Sequence, residues 1–131
     1  MNNELLEYWE PNAPFFEERM QSLVYAEHYG FSTSVSIEPM LDSENVVALF
    51  QTLKPYVTNS IWIGKLNKID SRIEIKNEKD KEQVNKIISG QTDEKILAIW
   101  EQLKNEPLVK WKESFKEVLG LKLADEKGLD I

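Results

Sequence analysis

Cysteine is absent from all 131 residues. That excludes disulfides, thiolate zinc sites and iron–sulfur ligation by this chain, because the thiolate is the ligand each of these needs. Histidine occurs once, at His28, and a lone imidazole with no partner motif does not make a metal site. Also missing are a glycine-rich phosphate loop and the Gly-x-Ser-x-Gly turn of a hydrolase nucleophile. No apolar run approaches the roughly 20 residues a membrane-spanning helix requires, and the polar start Met1-Asn2-Asn3-Glu4 is unlike a secretory signal, so a cytoplasmic protein with no membrane contact is expected. Basic charge is short as well: 16 Lys and Arg face 23 Asp and Glu, for a net charge of -7, which argues against a general nucleic-acid surface because carboxylates repel phosphate.

What is present is organised around two apolar runs that each end in polar groups. Thr33-Ser34-Val35-Ser36-Ile37-Glu38-Pro39 predicts a strand over 32–38, and Ser60-Ile61-Trp62-Ile63-Gly64-Lys65-Leu66-Asn67 predicts another over 60–65. Between them Val46, Leu49, Phe50 and Leu53 recur at helical spacing, predicting a helix near 44–56 that Asp42 or Ser43 caps and Pro55 ends. Strand, crossover helix and parallel strand make a βαβ unit, which brings both strand ends, with Glu38, Lys65 and Asn67, to one edge. Upstream, Glu4 to Trp9 reads as a helical turn stopped by Pro11. Asn12 with Pro14 reads as the start of a helix whose apolar face is Phe16, Met20, Leu23 and Val24, and Gly30 ends it.

Downstream of Asn67, Ile69, Ile73 and Ile75 alternate with polar residues and permit a short strand. Helices are then predicted at 79–89, 93–104 and 108–119, the last from Leu108, Trp111, Phe115, Val118 and Leu119. Trp100, Trp111 and Phe115 are read as core, and 121–131 as a frayed tail. With no linker or repeat, 1–131 is expected to form one domain.

Each candidate group has an ordinary reading beside the functional one. Glu38, at a strand end turned out of the sheet by Pro39, is placed to accept hydrogen bonds from a ligand amine or ribose, or to pair with a neighbouring cation. Lys65, beside Gly64, suits a ligand carboxylate or phosphate and equally a salt bridge to Glu38. Asn67 is grouped with it toward substrate. Glu10, in Trp9-Glu10-Pro11, suits either a pocket or the start of the following helix, where an acid is favourable.

The two strand segments, together with Tyr8-Trp9-Glu10-Pro11-Asn12-Ala13-Pro14 and Phe16-Glu17-Glu18-Arg19, resemble the later part of radical S-adenosylmethionine enzymes related to spore photoproduct lyase, over roughly residues 8 to 67. The resemblance implies a partial (β/α) barrel over 8–67, with one parallel βαβ unit, followed over 68–131 by a mainly helical extension. It implies S-adenosylmethionine contact by Glu38, a pocket or loop-locking role for Glu10, and pocket positions for Ser34 and Ser36 if these face the barrel interior. Structural satisfaction is the ordinary reading of both serines. Lys65 and Asn67 are assigned to substrate, and no catalytic or metal residue is assigned. The Cys-x3-Cys-x2-Cys motif that holds the [4Fe-4S] cluster of such enzymes is absent, and a complete barrel usually needs about 200 residues or more. The chain therefore reads as the carboxyl-terminal portion of such a protein, supplying pocket wall without cluster chemistry. The alternative is a non-catalytic binding or assembly module. On either reading a partner is expected, an amino-terminal half chain or a second copy, at an exposed strand edge, while the helices of 79–119 are expected to fold back in part over the apolar face carrying Val35, Ile37, Ile61 and Ile63.

Overall fold

The computed structural model describes residues 3–126. In chain order the elements are α1 (Asn3–Trp9), α2 (Phe16–His28), β1 (Ser34–Ile37), α3 (Val46–Leu53), β2 (Ser60–Ile63), α4 (Ile69–Arg72), α5 (Glu78–Gly90), α6 (Asp93–Leu103), β3 (Val109–Trp111) and α7 (Glu113–Leu119), with a 3-10 turn at Lys54–Tyr56. The three strands form one sheet of order β1-β2-β3, parallel throughout. Val35 pairs with Ile61 and Ile61 with Val109; Ile37 pairs with Ile63 and Ile63 with Trp111.

Strands alternate their side chains, so this register sends Val35, Ile37, Ile61, Ile63, Val109 and Trp111 to one face. That face holds the core. Val46, Phe50 and Leu53 of α3 and Ile96, Ile99 and Leu103 of α6 pack against it in one apolar cluster, which Met20 and Leu23 of α2 join at the β1 side. Phe50, Ile61, Ile63, Ile96 and Phe115 are wholly buried, each worth about 1.5–3 kcal/mol relative to exposure. The opposite face carries Ser34 and Ser36 of β1, Ser60 and Trp62 of β2 and Lys110 of β3. Ser34, Ser36 and Lys110 are exposed there and Trp62 is half-buried.

The parallel pairing of the first two strands and the helix between them agree with the sequence reading. So does the return of a downstream helix over the apolar face of the two strands. Val35, Ile37, Ile61 and Ile63 lie beneath the helices, because α6 folds back beside α3, and the open face is the serine and tryptophan face. A correction concerns 108–119. Leu108, Trp111 and Phe115 fit a helical period, yet Val109–Trp111 is a strand: Ile61 N–H donates to Leu108 O at 2.7 Å and Lys112 N–H to Ile63 O at 2.9 Å, so long-range pairing overrides the local pattern. The carboxyl-terminal part is thus not merely a helical extension but supplies the third strand.

The strand permitted by Ile69, Ile73 and Ile75 does not form. Lys68, in the left-handed region at φ 55°, opens the short α4, and Ile73 and Ile75 lie in a connecting segment before α5. α5 starts where Asn77 Oδ1 accepts from Asp80 N–H. α2 begins at Phe16, later than Asn12 and Pro14, since Asn12 sits at φ 72° in a turn and the Phe15 N–H donates to Glu18 Oε2. Of the expected frayed tail, 121–126 has no helix or strand and 127–131 lies outside the described residues.

Candidate functional site at the carboxyl ends of the strands

One residue beyond the paired ends Ile37, Ile63 and Trp111 stand Glu38, Gly64 and Lys112, which the register places in a row across the sheet on the side of the open face. Adjacent strands are about 4.8 Å apart, so Glu38 and Lys112 start roughly 10 Å from each other with β2 between them. They meet because the middle position is glycine. Glu38 Oε2 lies 3.5 Å from Lys112 Nζ, and a Cβ on Gly64 would stand 2.9 Å from Lys112 Cβ and Cγ and 3.0 Å from Glu38 Cδ. Lys112 Nζ also sits 4.9 Å from the ring centre of Trp62, so its charge is shared between a carboxylate and an indole face. The pair remains partly exposed, which limits its worth to stability to about 0–1 kcal/mol. Its consequence is positional: a carboxylate, an ammonium and an aromatic ring are gathered over one glycine.

The backbone around this row is held from both sides. Gly64 N–H donates to Ile37 O at 3.1 Å and Met40 N–H to Gly64 O at 2.9 Å, fixing the exit of β1, with its cis Glu38-Pro39 bond, against that of β2. Lys65 N–H donates to Ser114 Oγ at 3.0 Å and Leu66 N–H to Gln91 Oε1 at 2.7 Å; both acceptors are buried. The loop after β2 is thereby pinned to the start of α7 and to the turn between α5 and α6.

Glu10 pairs with Arg19, whose Nε also donates to Pro14 O at 2.8 Å, so the turn at 10–14 is tied to α2. Glu10, Ser36, Glu38 and Asp42 line a mainly apolar groove of about 180 Å³ between α1, α2, α3 and β1, walled by Leu6, Phe16, Met20, Leu23, Leu41 and Leu49. Of the sequence candidates, Glu38, Ser36 and Glu10 come together around this groove. Ser34 lies on the open face of the sheet, outside the groove lining, and bonds Ser60, the hydroxyl oxygens 3.2 Å apart. Lys65 is half-buried and its loop anchored, Asn67 is exposed beyond it, and the cation that meets Glu38 is Lys112, not Lys65. Lys112, Trp62, Ser114 and Gln91 escaped the sequence reading. The available signal was positional, since Lys112 follows its strand as Glu38 follows β1, but it required β3 to be recognised.

The chain was compared with family models, with curated proteins and with solved structures, and none matches. Among the described residues no three His, Cys, Asp or Glu side chains gather to hold a metal ion, and no helix is long and apolar enough to cross a membrane. The donor set here does not fit an iron–sulfur cluster, which needs thiolates. It does suit an uncharged or zwitterionic polar ligand: Glu38 and Ser36 offer acceptors to an amine or a vicinal diol, Lys112 a donor, and Trp62 an apolar surface.

Proposed function

We propose that this chain is the carboxyl-terminal arc of a cytoplasmic radical S-adenosylmethionine protein, a piece of a (β/α) barrel that contributes pocket wall while the cluster-bearing part lies on another polypeptide. The observation that carries the reading is the Glu38–Gly64–Lys112 row at the carboxyl ends of three consecutive parallel strands, over a face the helices leave open. Barrels of alternating strand and helix put helices outside and reacting groups at this end of the strands. In this reading Glu38 accepts hydrogen bonds from the amine or ribose of S-adenosylmethionine, Ser34, Ser36 and Glu10 form the adjoining wall, and Lys65 and Asn67 lie toward substrate. The cluster belongs to the other part, since no residue of this chain is a thiolate.

Production of the chain alone and together with the product of the reading frame directly upstream tests this. After anaerobic supply of iron and sulfide, the pair should hold a [4Fe-4S] centre and cleave S-adenosylmethionine, while the single chain does neither. A defined cluster on the single chain, or an upstream product that carries no Cys-x3-Cys-x2-Cys motif and confers no cleavage, would overturn the proposal.

A further inference from the structure

The two outer strands of the sheet differ in how they meet solvent. β3 carries Lys110 at its centre and is flanked by Pro107 and Lys112, and lysine and proline are the residues by which edge strands resist pairing with other chains. β1 is Ser-Val-Ser-Ile, with neither charge nor proline. Thr33 O accepts from Asn59 N–H at 3.0 Å and Ile37 O from Gly64 N–H at 3.1 Å, so Thr33, Val35 and Ile37 turn their main chain toward β2. Main-chain groups alternate along a strand, which turns the N–H and C=O of Ser34 and Ser36 outward, and both residues are exposed.

Alongside this edge, on the helix-covered side, runs the groove of about 180 Å³, which Val35 and Ile37 line with Phe16, Met20 and Leu23. Val35 and Ile37 are only half-buried, whereas their partners on β2, Ile61 and Ile63, are wholly buried. Main-chain positions and an apolar socket thus lie in the places where the next strand's main chain and every second side chain would fall. The charged groups lining the groove are Glu10, paired with Arg19, Glu38, which Lys112 approaches from the open face, and Asp42, which faces no cation among the lining residues, on a chain of net charge -7. That balance favours a basic segment and disfavours a second copy, whose own groove would bring the same carboxylates to the interface.

We infer that the outer edge of β1 takes up an extended segment of a different polypeptide as a fourth strand, one with apolar side chains at alternate positions and Lys or Arg at its ends. Strand addition of this kind draws affinity from main-chain hydrogen bonds and selectivity from alternate side-chain pockets. It requires only the edge and the groove, so it stands whether or not the chain belongs to a barrel.

The test uses the full ¹⁵N-labelled chain and a capped peptide, Lys-Val-Ser-Val-Ser-Val-Lys, titrated at low salt. Amide shifts should move at 33–38 and in α2 around Met20 and Leu23, the Ser34 and Ser36 amides should exchange at least about tenfold more slowly, and added salt should weaken the effect. Ser36→Pro removes an outward N–H not used by β2, and Ser36→Lys places a charge on the edge; either should weaken binding by at least about tenfold with unchanged circular dichroism, while Lys110→Ser leaves it intact. The inference is overturned by no shift at millimolar peptide, by shifts confined to 109–111, by binding indifferent to both Ser36 variants, or by sedimentation showing the β1 edge already filled by a second copy.

Discussion

Replacing Gly64 by alanine tests the geometry on which the candidate site rests. The added methyl would stand 2.9 Å from Lys112 Cβ and Cγ and 3.0 Å from Glu38 Cδ. The glutamate can swing away, but Lys112 Cβ is fixed to a backbone whose N–H donates to Ile63 O at 2.9 Å, and Gly64 itself is held by Ile37 O and Met40 N–H. The strain must therefore appear as separation of β3 from β2 at its end. Overpacking of this kind costs about 1–3 kcal/mol, offset by about 0.4–1 kcal/mol because alanine restricts the unfolded chain. Taking the middle of each range, the net loss should be about 1.3 kcal/mol, a fall in Tm of about 4–6 °C for a chain of this size. Urea denaturation followed by circular dichroism would show a lower midpoint with an unchanged slope. On a Lys112→Ala background the Cγ contact is gone and the Cβ contact stays, so the cost of Gly64→Ala should shrink without vanishing. Stability equal to the parent within about 0.3 kcal/mol, or a cost identical on both backgrounds, would refute the argument.

Tyr8 Oη donates to Asp80 at 2.5 Å and ties α1 to the first turn of α5. This bond, then the Lys76 N–H and the Asn77 groups, hold the Asp80 carboxyl below its usual 3.8, and the same bond raises the Tyr8 phenol above 10.0. The Asp80 contribution is present above pH 3.8 and lost as pH falls through the lowered value; that of Tyr8 is present below pH 10.0 and lost as pH rises through the raised one. Tyr8→Phe should accordingly be less stable than the parent at pH 7 and show a shallower decline toward both extremes, and parallel stability profiles would contradict this. Phe50, wholly buried at the middle of α3, should cost about 3–5 kcal/mol when cut to alanine, and a loss under about 1 kcal/mol by the same denaturation would show that the cluster around it is loosely packed.

The parts of the fold that a reader of the sequence can find are those whose information is local. α3 shows its apolar stripe within eight residues, α5 and α6 show theirs, and β1 and β2 show apolar runs bounded by turn-forming residues. β3 is different in kind. Val109-Lys110-Trp111 is too short to carry a period of its own, and its flanks complete a helical one; only pairing with Ile61 and Ile63, almost fifty positions away, makes it a strand. The site divides in the same way. Glu38 was legible as the polar residue ending an apolar run, and Gly64 as a place of close approach, but Lys112 stayed hidden with its strand, and Lys65 took the role of the cation. The faces of the sheet were legible too, since period two forces Ser34 and Ser36 opposite Val35 and Ile37. Helices of 79–119 were expected over the Val35 and Ile37 face, and it is α6, beside α3, that covers it.

β2 is the strand with a neighbour on each side, and every ladder in the sheet passes through it. A slip of one residue in β2 would do several things together. It would carry Ile61 and Ile63 out to water, push Trp62 beneath α3 and α6, and put both outer strands out of step, with Gly64 no longer level with Glu38 and Lys112. The two halves of the sheet are therefore not independently adjustable: β1 and β3 share one register, written in Ser60–Ile63, and any sequence that keeps the ion pair must keep that register with it.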